Sequence, residues 1–471
     1  MNKSAYLGTS ALGAFTASLA LAGPAAAQEQ DSYFVRDRNV SVAERKQPGY
    51  RPEGIRASQF ILRPQLDLSV GYTTNTLGLS DSGEPALERF EDESSFYGII
   101  RPSLTGESDW NRHEVSFDAY LEAFGNERFS GEGFLNAGVG LGGVVDLVRG
   151  TEAFGGVSYD RLNENRLVNN TFLVSEEPVR YDVARAEAGL RREVGRTRLV
   201  GRLDLADYDF DDVTIVPIPD TTRLADGTVA PVLDENGDQV FLPQGDGDQD
   251  FRDRTAYRAT AEVGYAVGRD TAVFVRGSVN RQEFDGRDFS NIVDPDGRDR
   301  DSDGWKAEIG AEFDLTSLVR GEVAVGYFEQ DYEDDAFDTA SGIGVDAALE
   351  WFPTEMTTVS VFAERDVEQS AFVGAGSVVR SDVEVRADHE LLRNAIVYAY
   401  AGYGEQDFED FDQTLDQARA GVGGRYYFNS NVSVAADYLY TQQNRPDQEG
   451  ALPFANDFDV QQVMLTLTLT P

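Results

Sequence analysis

The 471-residue chain contains no cysteine, two histidines, three methionines and three tryptophans. Without cysteine there is no disulfide framework and no thiolate metal site, so stability has to come from secondary structure and packing. With only His113 and His389, a histidine-centred catalytic triad has few places to form. Lysine and arginine number 41 against 83 aspartates and glutamates, a formal net charge of −42. Nucleic-acid binding takes most of its affinity from basic residues, so no nucleic-acid partner is expected. Long apolar runs are also missing. Beyond residue 27 no segment approaches the ~18 continuous apolar residues that a membrane-spanning helix needs.

Lys3, the apolar stretch from Leu7 to Ala22 and the small residues Gly23-Pro24-Ala25-Ala26-Ala27 form a Sec-type signal peptide over residues 1–27, with the exported product starting at Gln28. Residues 28–57 are polar and aperiodic and read as a periplasmic N-terminal segment. Export without a spanning helix leaves three classes: a periplasmic protein, a secreted protein or a β-barrel.

Alternation of apolar and polar residues decides among them. In Trp305-Lys306-Ala307-Glu308-Ile309-Gly310-Ala311-Glu312-Phe313-Asp314-Leu315 one parity is apolar and the other largely charged. Tyr257 to Tyr265, Val115 to Ala123, Val319 to Tyr327, Ile343 to Trp351, Val379 to Ala387 and Val463 to Leu469 repeat the pattern. Successive side chains of a strand point to opposite faces. Such strands continue to the end of the chain with no helical stretch among them. The expected fold is all-β: a single transmembrane antiparallel up-and-down β-barrel of about 18 strands over residues 58–471, apolar outside against lipid and charged inside against a wet lumen. A mean hydropathy of −0.39 is compatible with this, because only every second strand residue meets lipid.

The separators alternate in length. Short ones are Asp109-Trp110, Arg149-Gly150, Gly195-Arg196, Gly268-Arg269, Thr316-Ser317, Pro353-Thr354, Leu392-Arg393 and Asn429-Ser430. Between them lie longer acidic connections such as Asn75 to Glu93, Asn163 to Arg180, Phe210 to Asp250 and Asp285 to Asp303. Tight periplasmic turns and long extracellular loops are the pattern of outer-membrane barrels, with both chain ends in the periplasm. Two aromatic girdles are expected: Trp110, Trp351, Phe352, Tyr426, Tyr427 and Phe428 by the short turns, and Tyr208, Phe284, Trp305 and Phe328 by the long loops.

The stretch Pro48-Gly49-Tyr50-Arg51-Pro52-Glu53-Gly54 leads into Phe60-Ile61-Leu62-Arg63-Pro64, followed by Gly71-Tyr72-Thr73-Thr74-Asn75. This Tyr-x-Pro-x-Gly, Phe-x-x-x-Pro order resembles the putative beta-barrel porin 2 family of proteobacterial outer-membrane proteins. Members often close that strand with Asp-Asn, where this chain has Thr74-Asn75. The resemblance implies an outer-membrane location and a link to exopolysaccharide or capsule export, and it supplies no catalytic residue.

Both histidines lie beside short turns, far from where a lumenal or extracellular active site would assemble, so no enzyme activity is expected. The inward parity holds Arg63, Asp67, Asp118, Arg202, Arg258, Glu262, Lys306, Glu308, Arg320, Glu322, Arg380, Asp382, Arg386, Arg419 and Arg425 as the candidate pore lining. Two readings stand: a hydrated channel for small polar solutes or a polysaccharide, since barrels of 16–18 strands leave an aqueous lumen, or a narrow barrel plugged by paired charges. Asp299-x-Asp301-x-Asp303-Gly304 has the opening spacing of a calcium loop, although Gly310 stands where the twelfth-position acid belongs. Calcium is the ion this motif would take, and a solvated acidic loop is the other reading. No other cofactor is expected. Partners are outer-membrane lipid and lipopolysaccharide, which acidic loops could also engage through divalent cations in a structural or adhesive role.

Overall fold

The computed structural model describes residues 40–471, except 44, 46–48, 51, 79–93, 165–174, 176, 215–220, 224–228, 232–245, 286–297, 316–317, 371–374, 411–412 and 445–456. The expected signal peptide and the outer parts of several long loops lie outside the described residues.

A short strand β1 (Ile55–Ala57) precedes β2 (Phe60–Thr73), β3 (Ser95–Ser108), β4 (Glu114–Asn126), β5 (Phe134–Val148), β6 (Thr151–Asn163), β7 (Arg180–Val194) and β8 (Thr197–Phe210). The connection to the next long strand carries four short ones, β9 (Val213–Thr214), β10 (Thr221–Arg223), β11 (Val229–Pro231) and β12 (Asp246–Gly247), paired as β9 with β12 and β10 with β11. Then follow β13 (Arg254–Ala266), β14 (Thr271–Phe284), β15 (Ser302–Leu315), β16 (Val319–Tyr332), β17 (Ala340–Thr354), β18 (Thr357–Gln369), β19 (Ser377–Leu392), β20 (Ala395–Phe408), β21 (Gln413–Tyr427), β22 (Val432–Asn444) and β23 (Phe458–Leu469).

Each long strand pairs antiparallel with its neighbours in sequence, β8 pairs with β13, and β23 returns to β2 through Leu66↔Leu469 to Thr73↔Gln462. The result is a closed antiparallel barrel of 18 strands, as expected from the alternation. Closure removes the free edges that would otherwise template aggregation. It is incomplete at one place. β23 reaches back only to Leu66, so the first residues of β2 would be an open edge. Strand β1 folds over them, with Ala57↔Phe60, Arg56↔Ile61 and Ile55↔Leu62. This accounts for the motif before the barrel. Gly54 has φ +78°, and a Cβ there would sit 2.9 Å from the Leu62 carbonyl oxygen. Only glycine admits the close approach that lets β1 cover the edge. Pro64 falls between the β1 and β23 pairings, where a strand without a second partner best tolerates a missing N–H.

The short turns lie at one end of the barrel. The β5–β6 connection is Arg149-Gly150 and the β7–β8 connection is Gly195-Arg196. Gly150 and Gly195 have φ of +71° and +66°, the left-handed geometry such two-residue turns require. The β17–β18 turn is Glu355-Met356, just after the expected Pro353-Thr354, and Thr316-Ser317 lies outside the described residues. The opposite end carries the longer connections. Two of them, residues 127–133 and 409–412, were too short to stand out in the sequence.

Side-chain exposure fixes which face meets lipid. Val70, Leu203, Ile309 and Ile343 are all more than 60 % exposed on the outer wall. A fourteen-residue strand such as β2 rises roughly 35 Å when tilted about 40°, taller than the ~25 Å apolar band of such barrels. Its surplus projects beyond the band at the long-loop end, and there the outer wall turns polar: Arg161 bonds Asp182 at 2.7 Å, and Arg281 meets Glu283 at 2.8 Å.

Outward-facing aromatics mark both borders. Trp110, Trp351, Tyr426 and Phe428 ring the short-turn side, with Phe60 against Trp110 at 5.9 Å and Tyr426 against Phe428 at 5.0 Å. Tyr72, Phe96, Tyr159, Tyr257, Trp305, Tyr327, Tyr403 and Tyr438 mark the other. The girdle expected from sequence therefore needs correction. Phe352, Tyr208 and Phe328 are buried at 6 %, 3 % and 1 % exposure on the inner face, and Phe284 also lies there, against Arg254. Each occupies the inward parity of its strand, which nearness to a turn does not reveal.

Candidate functional site

The site is the inner wall. Directly paired residues in antiparallel strands project to the same face, so the register carries one assignment around the barrel. Lys306 and Glu308 alternate with exposed Trp305 and Ile309 and pair with Ser278 and Arg276 of β14 and with Phe328 and Gly326 of β16. The same reasoning puts Arg63, Asp67, Asp118, Arg202, Arg258, Glu262, Lys306, Glu308, Arg320, Glu322, Arg380, Asp382, Arg386, Arg419 and Arg425 on the inner face.

Most of these charges are paired between or along strands. Arg276 bridges Glu262 at 3.0 Å and Glu322 at 2.8 Å. Lys306 reaches Asp346 at 2.9 Å, Asp366 at 3.0 Å and Glu308 at 3.1 Å. Arg202 holds Glu187 and Asp204 at 2.7 Å each. Arg63 joins Glu107, Arg386 joins Asp388, Arg419 joins Glu384, and Arg320 joins Glu350. Arg380 bonds Asp382. These bridges tie neighbouring strands together and hold long side chains against the wall. Among the described residues, Arg258 and Arg425 have no carboxylate within ion-pair distance. Arg276 is a hub that the sequence does not single out, because Gly277 and Ser278 interrupt the alternation around it.

The wall is uneven in charge. The inner face of β17, β18 and β19 presents Asp346, Glu350, Glu364, Asp366, Glu368, Asp382, Glu384, Asp388 and Glu390 against Arg380 and Arg386. A neighbouring arc, β8, β13 and β14, carries Arg198, Arg202, Arg254, Arg258 and Arg276 against Asp204 and Glu262. The two arcs differ in the sign of their excess charge.

It is also uneven in bulk. Across β3, β4, β5 and β6 one register line reads Thr105, Asp118, Gly140, Ser158. Gly138, Gly142 and Gly156 flank it on the same face. Along this register line the side chains are short, with Tyr120 and Arg101 beside it, and Asp118 is solvent-exposed although it stands mid-strand and points inward. Phe362 and Glu364 are likewise exposed on the inner face of β18, Phe362 at 48 %.

At the long-loop end aromatic and basic groups pack together on the inner face. Tyr181, Val183, Tyr208, Phe210 and Val213 pack together, and Arg252 lies over the Phe210 ring at 4.1 Å while bonding Glu164. Arg300 sits over Phe251 at 5.0 Å and donates to the Ser370 carbonyl at 3.2 Å. Beside them, the Asp253 carboxyl is pushed up to about 7, first by burial and then by the negative field of Asp209, Asp250 and Asp285. A hydrogen bond from the Phe210 N–H at 2.7 Å opposes that rise.

Of the expected calcium ligands, Asp299 and Asp301 come together, joined by Glu333 rather than Asp303. Asp303 faces Arg281 at 3.1 Å instead. Strand alternation explains the exchange, since Asp303 already belongs to β15 and projects from its outer face. A second trio, Asp212, Asp248 and Asp250, lies in the β8–β13 connection. Both histidines lie at the short-turn end. His113 Nδ1 accepts from the Asp146 N–H at 3.2 Å, and His389 Nδ1 is 3.0 Å from the Thr357 hydroxyl.

A closed antiparallel barrel with an apolar outer band, aromatic borders and a charged inner wall is a porin-like outer-membrane β-barrel. The chain belongs to the family described as Putative beta-barrel porin 2, whose model matches residues 47–470, and its location is the cell outer membrane. No curated protein matches the sequence. Among solved structures it is similar to OccAB4 of Acinetobacter baumannii, with 11% identity and a TM-score of 0.41 over 87% of this chain and 98% of that one. The outer membrane protein opdK from Pseudomonas aeruginosa gives 10% identity and 0.41 over 87% and 99%. The copper transporter OprC gives 11% and 0.43 over 89% and 81%.

Proposed function

We propose that the barrel is a non-enzymatic channel passing small polar solutes through a hydrated lumen. The observation that carries this reading is the exposure of inward-facing Asp118, Phe362 and Glu364 at mid-strand, on two separate arcs of the wall. A barrel filled by its own side chains would bury them. The paired charges lie along the wall, and 18 strands leave room beyond them. Single-channel recording of the refolded protein in a planar bilayer tests it. Stable open steps support the channel; a folded barrel that stays silent rejects it.

A narrower role, conduction of an exopolysaccharide, follows from the family resemblance. Titrating the open channel with anionic oligosaccharides of increasing length tests that role. Length-dependent current block supports it, and indifference to the sugar rejects it. Calcium in the long loops is a separate reading, favoured by the convergence of the Asp299, Asp301 and Glu333 oxygens within 4.8 Å. A calcium-dependent rise in melting temperature that Asp301→Asn abolishes would support a structural role for the ion, bridging the rim to lipopolysaccharide.

A further inference from the structure

One stretch before the barrel lies inside it. Val42 is fully buried and Ser41 nearly so, although neither belongs to a barrel strand. The Val42 N–H donates to Thr358 Oγ1 at 3.0 Å, and Arg45 bonds Glu390 at 3.3 Å. Thr358 is the second residue of β18, and Glu390 lies two residues from the end of β19, so both mark the short-turn mouth. Both face inward: Thr358 pairs with Asp388 on the parity opposite to that of exposed Trp351 and Val385. Thr358, Ser360 and Glu390 are buried at 1 %, 7 % and 9 % exposure, whereas Phe362 and Glu364, further along the same face of β18, are open.

The seat is distant from where the barrel begins. Going from β2 through β23, β22, β21 and β20, β19 is five strands round the wall, an arc of about 24 Å at the ~4.8 Å strand spacing. Strand β1 anchors the segment at β2, and Val42 and Arg45 anchor it again at β18 and β19, more than a quarter of the way round the mouth. Attachments at that second anchor lie outside the barrel's hydrogen-bond ladder and include a backbone hydrogen bond to a side chain, the buried Val42 and an ion pair whose arginine is 32 % exposed. Such an attachment can open without unfolding the wall.

We propose that residues 40–43 with Arg45 form a strap that closes the short-turn mouth when seated and opens the channel when it leaves. This rests on the channel reading above. The seated strap puts an apolar side chain and a cation against Thr358, Ser360 and Glu390, and it shields them from the lumen water that reaches Glu364.

The absence of cysteine permits a clean test. The double variant Val42→Cys/Thr358→Cys, oxidised in the refolded protein, should form a disulfide and lose its open steps, and reductant should restore them. A second variant lacking residues 28–45 should show several-fold more open time or conductance than the full exported chain. Failure of the disulfide to form, or full disulfide with unchanged open steps, overturns the strap. So does a folded truncated barrel that conducts like the full chain. A folded truncated barrel with no current overturns the channel reading itself.

Discussion

At the residue scale the inner wall depends on hubs. Lys306 neutralises Asp346, Asp366 and Glu308 at once, and its own side chain is 13 % exposed. Lys306→Met keeps most of the bulk and removes the charge. The three carboxylates are then left facing one another, and the partial exposure of Asp346 and Asp366 limits the penalty to about 1–3 kcal/mol. Urea unfolding in vesicles should show that loss, and the reversal potential should move towards stronger cation preference. Asp253 supplies a pH signature at the rim. Its carboxyl keeps a proton to about pH 7 in the folded chain, whereas unfolded it ionises near 3.9. The folded state therefore binds more protons between those values, so stability falls as pH rises from about 4 to about 7 and stays at the lower level above. Asp253→Asn should flatten the change in melting temperature between pH 5 and pH 8. An unchanged profile would assign the titration elsewhere.

At the scale of the strand, two residues one position apart live in different solvents. Ile309 points to lipid and is 62 % exposed, while Glu308 points to the lumen and is 6 % exposed. Ile309→Arg at mid-strand should cost about 2–4 kcal/mol, the depth-dependent penalty for a cation on the lipid face. Arginine at a lumen position with acidic neighbours, such as Phe362, should cost far less. Equal penalties would mean that the face assignment is wrong. Period-two alternation made this much readable from sequence: the closed antiparallel barrel and its strand number. What it did not give depends on phase at strand ends and on closure. Tyr208 and Phe328 lie beside long loops as expected, yet one step of parity turns them inward. Asp303 continues β15 and leaves Asp299 and Asp301 to Glu333. The seat of Val42 joins residues 316 positions apart, and a contact of that kind has no local signal.

For the molecule as a whole, the formal charge of −42 is not spread evenly. Part of it lines the lumen, where β17, β18 and β19 present nine carboxylates against two guanidiniums on the inner face. Lys306, Arg320 and Arg419 reach in from other strands to Asp346, Asp366, Glu350 and Glu384, and Arg202 and Arg276 are committed to Glu187, Asp204, Glu262 and Glu322, so among the described residues Glu364 is left without an ion-pair partner. Charge in a low-dielectric passage concentrates counter-ions, and surface charge at the mouth does so only within a Debye length, ~10 Å at 0.1 M salt. The two contributions therefore separate by ionic strength. If lumen carboxylates set the preference, the channel should be cation-selective in a potassium chloride gradient and stay so at 1 M salt. If the acidic loops set it, selectivity should collapse as salt rises. Asp118 is the position to probe, being exposed on the open, glycine-lined arc where solutes have room to pass. Asp118→Arg should shift the reversal potential towards anions at every salt concentration and leave folding intact, since no ion pair is broken among the described residues. A reversal potential indifferent to Asp118 would place the conducting path along another part of the wall.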